Sequence, residues 1–193
     1  VEPLAIARCL CAMPPARKSA KKAPVAENLF TALHIGASSV SMMVAEREED
    51  GSFTSIDFLE QPAPVARDIF RGGVVSPSTT ERVVSIIKGY QKSLAELGLD
   101  PHAVTRAVAT NILSEATNHE TFMNRIRIAC GLRIGTIDDG EMTRLIYLKT
   151  RRRLLNLPAM RKDTTLVLHV GPGNTRALLF QNGLITRYTS YRM

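Results

Sequence analysis

Apolar residues run almost unbroken through positions 29–35 and 40–45, with the small residues Gly36-Ala37-Ser38-Ser39 between them. Short apolar runs bounded by turn residues predict buried strands, here two strands joined by a tight glycine turn. Phe53–Leu59 predicts a third strand. Ser78-Thr79-Thr80-Glu81 then has the form of a capping box, in which the serine and glutamate side chains satisfy free amides at a helix start. Val83, Ile87, Tyr90, Leu94 and Leu97 follow at spacings of four and three, one apolar face of a helix that Gly98 stops. Val104–Ala109 predicts a short strand. Asn118 predicts the cap of a second helix that buries Phe122, Ile126 and Ala129 before Gly131. Leu132–Ile137 predicts a further strand and Gly140–Leu154 a third helix.

One pattern occurs twice. Leu33-His34-Ile35-Gly36-Ala37-Ser38-Ser39 aligns without a gap on Leu168-His169-Val170-Gly171-Pro172-Gly173-Asn174, and each is followed by a second apolar run, Val40–Ala45 and Ala177–Phe180. A duplicated strand-turn-strand unit is the reading. The predicted order is β-β-β-α-β-α-β-α, then β-β beginning again. Strands alternating with helices place this chain in the α/β class, with helices packed on a partly parallel sheet. The expected organisation is a leader over 1–28, a first domain over 29–155, a linker over 156–163, and the opening strands of a second domain over 164–193. That second unit holds too little to close a core, so the chain reads as a fragment whose late apolar strands lack their covering helices.

Composition changes the picture mainly through charge. The formal net charge is +7, which favours anionic partners. The excess concentrates in Arg144, Lys149, Arg151, Arg152, Arg153, Arg161 and Lys162, a stretch without an acid. Cations at a helix C-terminus also offset the helix dipole, and no aromatic residues are interleaved for base stacking, so nucleic acid ranks last among anionic partners. Tyr188 and Tyr191 read as strand residues. No apolar run is long enough for a helix to cross a bilayer, so no membrane partner is expected. Three cysteines make no disulfide framework, and Cys9-x-Cys11 is at most half a metal site; reduced thiols and a cytoplasmic setting are expected. The leader, rich in Ala, Pro and Lys, is expected to be disordered. Val1 is not an initiator residue, and Met13 stands as a candidate start.

A glycine turn between strands can present successive backbone N–H groups to an anion, and small residues let a phosphate approach the chain closely. Two such loops facing one cleft would grip a phosphoanhydride from both sides. The candidate phosphate-binding residues are therefore Gly36, Ala37, Ser38 and Ser39 in the first loop and Gly171, Gly173, Asn174, Thr175 and Arg176 in the second.

Arg106-Ala107-Val108-Ala109-Thr110-Asn111, with Glu115-Ala116 and Asn118, resembles the Ppx/GppA family of exopolyphosphatases and guanosine pentaphosphate phosphatases, as does the segment from Glu141 through Arg144-Leu145-Ile146-Tyr147. The two loops stand where that family has Asp-Ile-Gly-Ser-Asn-Ser and Asp-Ile-Gly-Gly-Gly-Ser-Thr-Glu. The resemblance is colinear over residues 29–193. It implies the actin/Hsp70/sugar-kinase (ribonuclease H-like) fold, with the first domain nearly complete and the second truncated. It also implies hydrolysis of phosphoanhydride bonds in polyphosphate or pppGpp, Mg²⁺ as the usual cofactor, Glu141 as the catalytic base, and homodimers when full length.

The departures from the family pattern bear on activity. His34 and His169 occupy the two loop aspartate positions, Arg176 the second-loop glutamate, Ser114 the arginine position after Leu113, and Met142 the acid beside Glu141. Pro172 removes one N–H donor from the second loop. Mg²⁺ prefers carboxylates and water, and imidazole replaces them poorly. These changes imply an enzyme that has lost its metal and binds no Mg²⁺ of its own, because the loop carboxylates are gone. One alternative is a metal-free binder of polyphosphate or a guanosine phosphate, its cleft made more cationic by Arg176. Another is altered catalysis by Glu141 with a transition metal on His34 and His169. The plainest is that both imidazoles are satisfied by backbone hydrogen bonds.

Overall fold

The computed structural model describes residues 28–154, 164–171 and 174–192. The expected leader, the expected linker, Pro172 and Gly173 lie outside those residues, except that Asn28 accepts a hydrogen bond from the Arg47 amide at 2.7 Å and so belongs to the sheet. The chain forms β1 (Leu29–Ile35), β2 (Ser39–Arg47), β3 (Phe53–Pro62), α1 (Val65–Gly72), α2 (Pro77–Glu96) and β4 (Arg106–Ala109). A 3-10 turn (Asn111–Glu115) follows, then α3 (His119–Cys130), β5 (Gly135–Thr136), α4 (Asp139–Leu154), β6 (Thr164–Val170), β7 (Asn174–Gln181) and β8 (Leu184–Arg192). The first sheet has the order β3-β2-β1-β4-β5, antiparallel across the first three strands and parallel from β1 to β4 to β5. The second is an antiparallel meander, β6-β7-β8.

Both faces of the first sheet are covered. Leu33, Ile35, Val40, Met42 and Val44 point to α1, α2 and α3, where Val83, Ile87, Leu94, Phe122 and Ile126 complete one core. Ala32, Met43, Ala45 and Val108 point the other way, to Met142, Leu145 and Ile146 of α4. Period-two alternation on the strands and a 3.6-residue stripe on the helices produce these faces. The same second core contains Leu178 and Phe180 of β7, both fully buried, with Tyr147 stacked on Phe180 at 5.9 Å between ring centres. The late strands are thus not uncovered, as the sequence led us to expect: α4 covers their inner face. Only the outer face stays open, at Leu166, Leu168 and Val170.

Several local expectations need correction. α2 starts after Ser76, whose Oγ accepts from the Thr79 amide at 3.2 Å, with Pro77 at the first helical position. Proline suits that position because its missing N–H would have no partner there. Glu81 does not cap the helix; it forms a two-pronged ion pair with Arg125 of α3. Asn118 precedes α3 but caps nothing, because its carboxamide bridges the N–H and C=O of Val75 at 2.9 and 2.8 Å. Cys130, not Ala129, is the fully buried residue at the end of α3. The Leu132–Ile137 strand shrinks to Gly135–Thr136 and the Val104 strand to Arg106–Ala109, while β3 extends to Pro62. Helix α1 and the 3-10 turn were not predicted, nor was a third strand, β8, after the second hairpin.

Candidate functional site

The two glycine loops share one closing backbone hydrogen bond. Gly36 N–H donates to the Ser39 carbonyl at 2.7 Å, and Gly171 N–H donates to the Asn174 carbonyl at 2.9 Å. A Cβ on Gly36 would lie 3.0 Å from the Ser39 oxygen and 3.3 Å from His34 Cε1; one on Gly171 would lie 3.4 Å from the Asn174 oxygen and 3.5 Å from His169 Cε1. Glycine is needed in the first loop because the turn closes on itself. His34 and His169 each sit on a first strand, two residues before the turn glycine, as the repeat predicts.

The turn consumes much of what the sequence offered to an anion. The N–H groups of Gly36 and Gly171 are spent on turn closure. The Ala37 and Ser38 carbonyls accept from the Ala66 and Ala63 amides, which fastens the first loop to the start of α1. Ser39 Oγ donates to Glu60 of β3 at 2.6 Å. Gly173 lies outside the described residues. The loop-one amides of Ala37 and Ser38 are the donors this turn offers an anion, since backbone N–H groups at a tight turn can converge on one oxyanion.

β1, β4, α4 and β7 bring the remaining candidates together. β4 lies parallel to β1, with His34 opposite Val108 and the Thr110 amide bonded to the Ile35 carbonyl at 2.9 Å, so Asn111 emerges beside the first loop. Asp138 caps α4 by accepting from the Glu141 amide at 2.7 Å, and this sets Asp139 in the first turn. There Asp139 Oδ1 accepts from Asn111 Nδ2 at 2.7 Å and from Arg176 at 2.5 Å. Arg176 also donates to Asn174 Oδ1 at 2.8 Å. Arg176 therefore does not add a free positive charge to the cleft, as its sequence position suggested: it is 3% exposed and neutralised by Asp139. Sequence reasoning missed Asp139 altogether; the only available signal was an acid one residue before the glycine that seemed to open α4.

The histidines are held neutral. Burial pushes His34 down to about 4. His169 is lowered first by burial, then by the charge of Arg176, which is its direct cross-strand neighbour, and by Lys149. Loss of water around a cation, or a second cation beside it, disfavours the protonated form. His34 Nε2 and His169 Nδ1 are buried without a hydrogen-bond partner among the described residues, so backbone bonds do not fully satisfy these rings. Glu141 is engaged with Arg144 through both carboxylate oxygens, at 2.8 and 3.1 Å. Ser114 lies exposed on the 3-10 turn.

This donor set does not fit Mg²⁺. Among the described residues, no group of three or more His, Cys, Asp or Glu side chains is arranged to hold a metal. The one carboxylate central to the cleft, Asp139, already receives an amide and a guanidinium. Elsewhere, Cys130 is a free buried thiol pushed up by burial, and no helix among the described residues is long and apolar enough to cross a membrane.

Comparison with known proteins fits this geometry. The solved structure of the Aquifex aeolicus Ppx/GppA family member superposes with a TM-score of 0.67 at 21% identity, covering 86% of this chain and 51% of that one. An exopolyphosphatase from Cytophaga hutchinsonii superposes with a TM-score of 0.71 at 13% identity, covering 86% of this chain and 50% of that one. The chain thus spans about half the length of these structures and shares their actin-like ATPase fold. The sequence pattern of the Ppx/GppA phosphatase family matches residues 44–193, most of the chain. By that match, the chain belongs to the Ppx/GppA phosphatase family.

Proposed function

We propose that this chain is a non-hydrolysing member of its family, one that holds a phosphate-type anion, polyphosphate or a guanosine phosphate, without a metal. The observation that carries this reading is that His34 and His169 stand on the two first strands, at the matched positions where the family pattern has aspartates, and burial disfavours the charged form of both. Phosphoryl transfer depends on positioning and on neutralising charge as it develops on the phosphoryl oxygens. A divalent ion ordinarily supplies that neutralisation, and imidazoles do not recruit Mg²⁺.

The rest of the cleft supports the same reading. Arg176 is ion-paired with Asp139, and Glu141 is paired with Arg144 instead of standing free as a base. The donors this leaves for an anion include loop amides and imidazole N–H groups, beside the unpartnered Nε of Arg176. Binding by such donors needs no cofactor and provides no charge relay. The test is calorimetric titration of tripolyphosphate and pppGpp into the protein, with Mg²⁺ and with chelator, beside an assay of phosphate release. The expected result is binding that chelator does not change, without release. Release that requires Mg²⁺ would instead favour an active hydrolase acting through Glu141.

A further inference from the structure

A second cavity lies against the first loop, bounded by α1 and α2. It is an open hollow of about 650 Å³, and its walls include Ala37 and Ser38 of the loop, Arg67, Phe70 and Arg71 of α1, and Arg82 of α2. Its chemistry is one-sided: three guanidinium groups line it and no carboxylate does. The nearby acids have hydrogen-bond or ion-pair partners of their own, although Asp68 also feels the charge of Arg67. Asp68 accepts from the amide and hydroxyl of Ser76, Glu81 pairs with Arg125, and Glu60 accepts from Ser39.

Helix geometry explains the grouping. Arg67, Phe70 and Arg71 are spaced i, i+3, i+4, which places them on one face of α1, while Val65, Ala66 and Ile69 bury the other. Arg82 is oriented by its Nε, which donates to the Pro62 carbonyl at 2.8 Å, so its terminal nitrogens remain for a ligand. Phe70 is 55% exposed, a large apolar ring set between two cations where a purely electrostatic site would gain nothing from it.

We infer that this cavity is a nucleotide site, taking a nucleoside phosphate whose base stacks on Phe70 and whose phosphates meet Arg67, Arg71 and Arg82. An inorganic phosphate chain would use the arginines alone; a ligand with both a flat ring and an anionic chain uses every wall. Arginine forks match phosphate oxygens in pairs, an aromatic face adds stacking, and a cavity of this size suits a small ligand. The site adjoins the cleft of His34, Asp139 and Arg176 and shares the first-loop residues Ala37 and Ser38 with it. It is coupled to that cleft through the Ala66–Ala37 and Ala63–Ser38 hydrogen bonds, which tie α1 to the back of the first loop.

The test is equilibrium titration of the full chain, in chelator, with ATP, tripolyphosphate and adenosine. ATP should bind more tightly than either of the others. Phe70→Ala should weaken ATP by about tenfold, the size of one stacking contact, and leave tripolyphosphate within about twofold. Phe70→Tyr should keep ATP binding. Arg71→Gln should weaken ATP and tripolyphosphate alike, with unchanged thermal melts confirming that these exposed changes leave the fold intact. Failure of ATP to bind, or binding that Phe70→Ala and Arg71→Gln leave unchanged, would overturn the inference. If ATP binding falls with Arg176→Met and not with the cavity variants, the ligand belongs to the cleft: this inference fails while the metal-free reading of the cleft stands.

Discussion

Asp139 in the first turn of α4 and Arg176 on β7 form an ion pair that joins the two sheets' halves of the cleft, and its two members differ sharply in exposure: 43% for Asp139 and 3% for Arg176. A buried guanidinium without its carboxylate keeps the whole cost of leaving water, whereas a half-exposed carboxylate without its guanidinium can be rehydrated. Asp139→Ala should therefore destabilise the protein by about 3 kcal/mol, and Arg176→Met by only about 1 kcal/mol. Denaturant melts of both variants measure the difference. Equal losses, or a larger loss for Arg176→Met, would contradict the asymmetry.

Neither partner announced the other in the sequence, because they are 37 positions apart and lie on opposite sides of the linker. Features whose cause is local were legible. The glycine turns, the apolar stripe of α2 and the two first strands follow from residues within a few positions of one another. Features settled by tertiary partners were not. Ser78-x-x-Glu81 has the form of a capping box, but Arg125 claims Glu81 and Ser76 caps instead. Asn118 has the chemistry of a cap, but the Val75 backbone claims its side chain. Helix α1, absent from the sequence reading, begins directly after Pro64. The candidate site was legible as a set of positions; the state of each group, paired or unpaired, charged or neutral, was not.

His34 gives the fold an acid sensitivity. The unfolded chain takes up a proton as pH falls through 6.5, while the folded ring does so only near 4. Stability from this residue is complete above about pH 6.5 and is lost progressively down to about pH 4, up to roughly 3 kcal/mol in all. His34→Asn should flatten that part of the pH profile. A profile identical to that of the parent between pH 6.5 and 4 would rule out a buried neutral imidazole.

The contact between α2 and α3 offers two adjacent residues with opposite expectations. Ile126 is fully buried, so Ile126→Ala should cost about 2–5 kcal/mol. Arg125, ion-paired to Glu81 in an exposed setting, should cost little on change to alanine. Melts that rank the two in the reverse order would mean that the helix pair is held by charge and not by its apolar seam.

Metal binding should return only when the internal cation is removed as well. His34→Asp with His169→Asp supplies two carboxylates but leaves Arg176 on Asp139, so Mg²⁺ should stay weak; adding Arg176→Glu should produce binding measurable by calorimetry. Tight Mg²⁺ binding by the double variant alone would show that Arg176 does not obstruct the ion.

The central claim is that a member of a phosphatase family holds its anion without metal and without turnover. Phosphate release from polyphosphate and from pppGpp, measured for the unmodified protein with Mg²⁺ and again with chelator, tests it most directly. The expected result is no release above background in either condition, with tripolyphosphate binding unchanged by chelator. Mg²⁺-dependent release at ordinary enzyme rates, abolished by Glu141→Gln, would contradict it.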